Sequence, residues 1–89
     1  FLQIQIKHLS ETEIQEKGIK SWPIWTCGIS EFDWEYSEPE YCLLLEGQVE
    51  VTTALEIVCF STGDFVFFPK GLQCKWNVIQ AVTKHYKFG

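Results

Sequence analysis

At 89 residues, 46% of them hydrophobic and 16% aromatic, the chain has material for one core, expected as a single domain over 1–89 that buries about 60–65% of its unfolded surface. Seven basic against twelve acidic side chains leave a net charge of −5, and all seven bases are lysine. This excludes the arginine-bearing basic face of a nucleic-acid binder and leaves no guanidinium for bidentate pairing with carboxylate or phosphate.

No stretch reaches the roughly 20 apolar residues of a membrane span, so no membrane partner is expected. Four cysteines, Cys27, Cys42, Cys59 and Cys74, are accompanied by no visible secretory signal. They read as reduced thiols of a cytoplasmic protein. Because the sequence starts at Phe1 and holds no methionine, some N-terminal residues, at least an initiator, are expected to precede it.

In chain order, Leu2, Ile4 and Ile6 alternate as an N-terminal strand, with His8 continuing their face in a structural role. Ser10 and Glu13 then stand at capping-box spacing, Ile14 is apolar and Gly18 is placed to end the turn, which predicts one short helix. Everything after it reads with period two. Turns are marked at Ser37 to Pro39, Glu46-Gly47, Thr62-Gly63-Asp64 and Pro69-Lys70-Gly71, the pattern of a barrel or sandwich.

From Ser30 to Tyr36 the aromatics Phe32, Trp34 and Tyr36 share one face and are expected to point inward, leaving Glu31, Asp33 and Glu35 to water. In the strand from Glu40, an alternation runs through Cys42 and Leu44, but Leu43 and Leu45 make the two faces hard to tell apart. From Leu72 to Val78, Leu72, Cys74, Trp76 and Val78 share an inward face. In the last strand Val82, Lys84, Tyr86 and Phe88 alternate together, which puts Lys84 on the apolar side and His85 with Thr83 and Lys87 on the other.

Glu40 is the leading candidate for chemistry, because a carboxylate inside so small a barrel is costly unless paired or protonated. Lys84 could reach it as a countercharge, or snorkel its ammonium out of the barrel mouth. Trp34 and Tyr36 read first as core and second as a stacking wall for a flat ligand. Cys74 reads equally as an inert buried thiol or a working one.

The segment from Glu40 to Gly47 resembles the end of the first cupin motif, a glutamate followed after six residues by glycine. Gly63, then Pro69 and Gly71, then Cys74 resemble the second motif at its usual spacing. Ser21-Trp22-Pro23-Ile24-Trp25, Phe32-Asp33-Trp34 and Lys84-His85-Tyr86 are similar to the small single-domain branch related to ureidoglycine aminohydrolase cupins. The resemblance implies an all-β, jelly-roll-like barrel with one short N-terminal helix. It also implies an interior that usually holds manganese, iron, nickel or zinc on three histidines and a glutamate. Position by position, the first two histidines correspond to Trp34 and Tyr36, the glutamate to Glu40 and the third histidine to Cys74. Only the glutamate is kept, so neither a tightly held metal nor any other cofactor is expected.

Three functions follow as expectations. The preferred one is a degenerate-site cupin that binds a small polar organic molecule, with Trp34, Tyr36 and Trp76 as apolar walls and Glu40, Cys74 and Lys84 as polar or catalytic groups. The second is an enzyme, a hydrolase or isomerase of ureidoglycine-like molecules, with Glu40 as base and any residual metal on Glu40 and Cys74. The third is a filled barrel with a structural role. Aromatic content and an exposed first strand add the expectation of a two-fold homodimer.

Overall fold

The computed structural model describes residues 2–89. In chain order these form β1 (Gln5–His8), α1 (Glu11–Lys17), a 3-10 turn at Ile19–Ser21, β2 (Ile24–Cys27), β3 (Ser30–Glu35), β4 (Glu40–Thr52), β5 (Ile57–Ser61), β6 (Asp64–Phe68) and β7 (Gln73–Phe88). Strand pairing is antiparallel throughout.

The helix forms where its capping chemistry predicts. The Glu13 amide donates to Ser10 Oγ and the Ser10 amide to Glu13 Oε1, both at 3.1 Å. Gly18 closes the helix in the left-handed conformation, φ 65°, which costs a residue without Cβ little.

Two long strands make the barrel. The first half of β4 pairs with β6 and with the second half of β7, which β2 extends. The second half of β4 pairs with β5 and with the first half of β7, which β3 extends. Each long strand thus runs through both layers of a small jelly roll. The core lies between them, drawn from Cys42, Leu44, Val49, Val51, Phe60, Val66, Phe68, Trp76, Val78 and Val82. Phe60, Phe68 and Trp76 meet at ring separations of 5.5–5.9 Å at its centre.

Two sequence expectations change here. Leu72 to Val78 and the last strand are one continuous strand, and Glu46-Gly47 is no turn but the bulged corner of β4, where the register against β7 shifts repeatedly between Leu44 and Val49. A bulge bends one strand without ending it, so β7 can turn the corner unbroken. It also exchanges the faces of β4: Cys42 and Leu44 point inward before it, Val49 and Val51 after it. Gly47 is required there. Its φ is 105°, and a Cβ would lie 2.5 Å from the Ala81 carbonyl oxygen and 2.8 Å from Val82 Cα. Gly63 does sit at a turn, in the two-residue link between β5 and β6, which follow one another along the same edge of β4.

The outer face of the β4–β6 layer has its own apolar cluster. Leu43 and Phe65 pack under Ile19, joined by Leu9, Ile14, Trp22, Tyr41 and Leu45. Helix and 3-10 turn cover this face, which is why β4 is apolar on both sides. His85, opposite Leu43 in the sheet, belongs to this side and hydrogen-bonds through Nδ1 to the Trp22 carbonyl at 3.0 Å. A carbonyl only accepts, so the proton is on Nδ1. His8 is exposed beside Asp64. Among the described residues no helix is long and apolar enough to cross a membrane.

Candidate functional site

At one end of the barrel the core stops short of closing. Glu40 opens β4 with its side chain on the inward face, and Lys84, in the second half of β7, shares that face from the neighbouring strand. Glu40 is 2% exposed and Lys84 4%. Their charged ends meet: Nζ donates to Oε2 at 2.7 Å, and the Tyr36 hydroxyl donates to Oε1 at 2.7 Å. Two charge-assisted hydrogen bonds therefore satisfy one carboxylate away from water. Lys84 does not snorkel.

Above this ion pair opens a cavity of about 210 Å³. Trp25, Phe32 and Trp76 wall it, with Phe32 stacked on Trp76 at 6.0 Å and Trp25 edge-on to Trp76 at 6.0 Å. Trp34, Tyr86 and Phe88 border it as well. Trp34 is 48% exposed and meets Tyr36 edge-on at 6.3 Å, so it forms the rim. The inward expectation for the Phe32–Trp34–Tyr36 set thus holds in full only for Tyr36: β3 is an edge strand, and at its Trp34 end the barrel is open.

The Lys84 ammonium also lies 4.6 Å from the Trp76 ring centroid and 4.8 Å from that of Trp25. Burial first, and then the Glu40 charge and hydrogen bond, hold the Tyr36 phenol far above its ordinary range, so at neutral pH it donates. Cys42 lies on the same inward face, beneath the cavity, its thiol pushed up to about 12 chiefly by burial.

Of the six residues singled out in the sequence, five meet here: Trp34, Tyr36, Glu40, Trp76 and Lys84. Cys74 does not. It is buried on the inward face as expected, packed in the core cluster with Tyr36 and Trp76, but it lines a neighbouring groove with Trp34, Asp33 and Thr53 rather than the cavity, and its thiol donates weakly to the Trp34 carbonyl at 3.6 Å. Burial raises this thiol to about 11, against a lowering by the nearby Trp76 indole. That N–H makes no hydrogen bond of proper distance and angle and is otherwise unpartnered.

Trp25, Phe32, Tyr86 and Phe88 complete the cavity without having been assigned to it from sequence. For Tyr86 and Phe88 the signal was present, since they alternate with Lys84. Trp25 becomes a neighbour only because β2 pairs with β7 in the register that sets Trp25 opposite Lys84.

A metal does not suit these side chains. An indole cannot ligate, the Tyr36 phenol keeps its proton, Cys74 does not line the cavity and its buried thiol keeps its proton, and an ammonium already holds Glu40 Oε2. Among the described residues no group of three or more His, Cys, Asp or Glu side chains is arranged to hold a metal ion.

A small antiparallel jelly roll, open at one end onto a cavity in its interior, defines the cupin class. A model of the EutQ-like cupin domain matches residues 14–86, and the chain belongs to that family. It is similar to the crystal structure of a DUF861 family protein of Thermotoga maritima, at 42% identity over 98% of this chain and 100% of that one, TM-score 0.95. A DUF861 protein of unknown function from Pseudomonas syringae matches at 28% identity over 74% of this chain and 29% of that one, TM-score 0.68. A putative ethanolamine utilization protein Q of Salmonella typhimurium shares the fold at 22% identity, over 96% of this chain and 68% of that one, TM-score 0.68. Comparison with curated proteins gave no match.

Proposed function

We propose that this cupin binds a small organic molecule in the open end of its barrel, without a metal. One observation carries the reading: the core leaves a cavity of about 210 Å³ directly over a buried ion pair, where apolar packing would be cheaper. Ligand sites combine apolar walls with a few placed polar groups in this way. The volume is below the roughly 300–1,000 Å³ of sites for drug-sized ligands, so the occupant is smaller. Trp76 and Phe32 supply flat walls, Trp34 a half-exposed rim, and Glu40 with Lys84 the polar floor.

The narrower kinship with ureidoglycine aminohydrolase-type cupins rests on short sequence segments and would make the site a hydrolase or isomerase with Glu40 as base. Glu40 has both oxygens engaged by Tyr36 and Lys84, which favours binding over proton abstraction.

A thermal-shift screen of small organic molecules against the wild type and Trp34→Ala tests the binding reading. Trp34 is a rim residue, so the variant should fold normally and bind wild-type hits at least tenfold more weakly. Hits that are indifferent both to Trp34→Ala and to Tyr86→Ala would place binding outside the barrel and sink the proposal.

A further inference from the structure

The Lys84 ammonium has surroundings that are usually offered to a ligand. It rests against the Glu40 carboxylate at 2.7 Å and near the rings of Trp76 and Trp25 at 4.6 and 4.8 Å. Aromatic faces joined by a carboxylate are the means by which proteins hold organic ammonium ions. Here the cation in that seat is part of the chain. We infer that Lys84 fills the cation seat of an aromatic–carboxylate cage and so sets the ligand class of the cavity: small, flat, uncharged molecules enter, and organic ammonium ions are refused. This rests on the reading of the cavity as a binding site.

The seat cannot easily be vacated. Lys84 lies between Leu44 of β4 and Trp25 of β2, its partners across the sheet on either side, and is almost wholly buried. Its charge end is held by a hydrogen bond and two rings at once, so moving it would leave Glu40 buried with one partner fewer.

Charge then selects. An entering ammonium would find the carboxylate already neutralised and a fixed positive charge beside it, and would have lost its own hydration to get there. An anion fares little better, because Glu40 stands within 2.7 Å of Lys84, the only cation lining the cavity among the described residues. An uncharged molecule meets neither cost. It can stack on Trp76 or Phe32, whose planes are 13° apart, and turn a hydroxyl or carbonyl toward the floor. Size agrees: an apolar cavity of about 150 Å³ admits benzene, so about 210 Å³ admits one ring with a small substituent.

Benzyl alcohol and benzylammonium, which share a skeleton and differ in charge, test this by titration followed through tryptophan fluorescence and ligand NMR. The wild type should bind benzyl alcohol at least tenfold more tightly than benzylammonium. Lys84→Ala empties the seat and should reverse that order, with benzylammonium raising the melting temperature of the variant. Adding Glu40→Gln to Lys84→Ala should abolish the gain. Should Lys84→Ala fail to fold, the wild-type ratio alone decides. Equal binding of the two probes by the wild type would overturn the inference and leave the cavity a binding site. Binding of neither would overturn the inference and the proposed function together.

Discussion

The two faces of β4 are both apolar in sequence and both shielded from water, but they are finished differently. On the outer face Tyr41, Leu43 and Leu45 meet Ile19, Phe65 and the helix in a small apolar cluster, and among the described residues the groove beside it is lined by Tyr41, Trp22, Phe65 and lysines with no buried ion pair beneath them. On the inner face the strand begins with Glu40, and the layer opposite leaves an opening above it. One face is packed for stability alone. The other keeps a buried ion pair, which contributes less to stability than well-packed apolar side chains of similar volume would. A small domain with few kilocalories in reserve thus carries its least economical packing beneath the cavity proposed to take the ligand.

The sharpest way to break this comparison is to unpair the inner face. Glu40→Gln alone and Lys84→Met alone should each cost about 3–5 kcal/mol, because each strands a buried polar or charged group. The double variant should recover most of the loss. Urea unfolding of all four proteins checks this as a double-mutant cycle, and additive losses would mean that the pair is not coupled.

The outer face should respond as an ordinary core. Leu43→Ala is expected to cost about 2–5 kcal/mol, toward the lower end because the overlying helix and turn can settle, and it should leave ligand binding unchanged. A loss of binding in a folded Leu43→Ala protein would join the two faces functionally. Farther from both, Ser10→Ala removes half of the capping box and should cost about 1 kcal/mol, read from the same urea midpoints.

The inner side should also show a pH dependence. Cys74 and Cys42 are raised to about 11 and about 12, and Tyr36 is raised as well. The folded protein therefore keeps protons that the unfolded chain begins to release near pH 8.5 for thiols and 10 for the phenol. The stability that these groups contribute is complete below those values and is lost as pH rises through the folded ones. Urea midpoints should fall between pH 8 and pH 11, and fall less in a Cys42→Ala, Cys74→Ala variant. Alkylation at pH 8 should modify exposed Cys59 well before Cys74, and Cys42 only on unfolding.

Local patterns in the sequence reach far into this structure. Ser10, Glu13 and Gly18 determine the helix because capping is settled within a single turn. Period two places Tyr36, Cys74, Trp76 and Lys84 on inward faces because alternation is a property of each strand alone. Where a feature depends on how strands meet, the pattern is silent. Glu46-Gly47 has the composition of a turn, and only the passage of β7 behind it, with Ala81 and Val82 against the glycine, makes it a corner. Leu43 and Leu45 left the faces of β4 unresolved because an apolar residue does not record whether a barrel or a helix covers it. The same holds at the site. Glu40 and Lys84 could be named as candidates, but 44 residues separate them, and it is register across the sheet that brings charge to charge and sets Trp25 beside them.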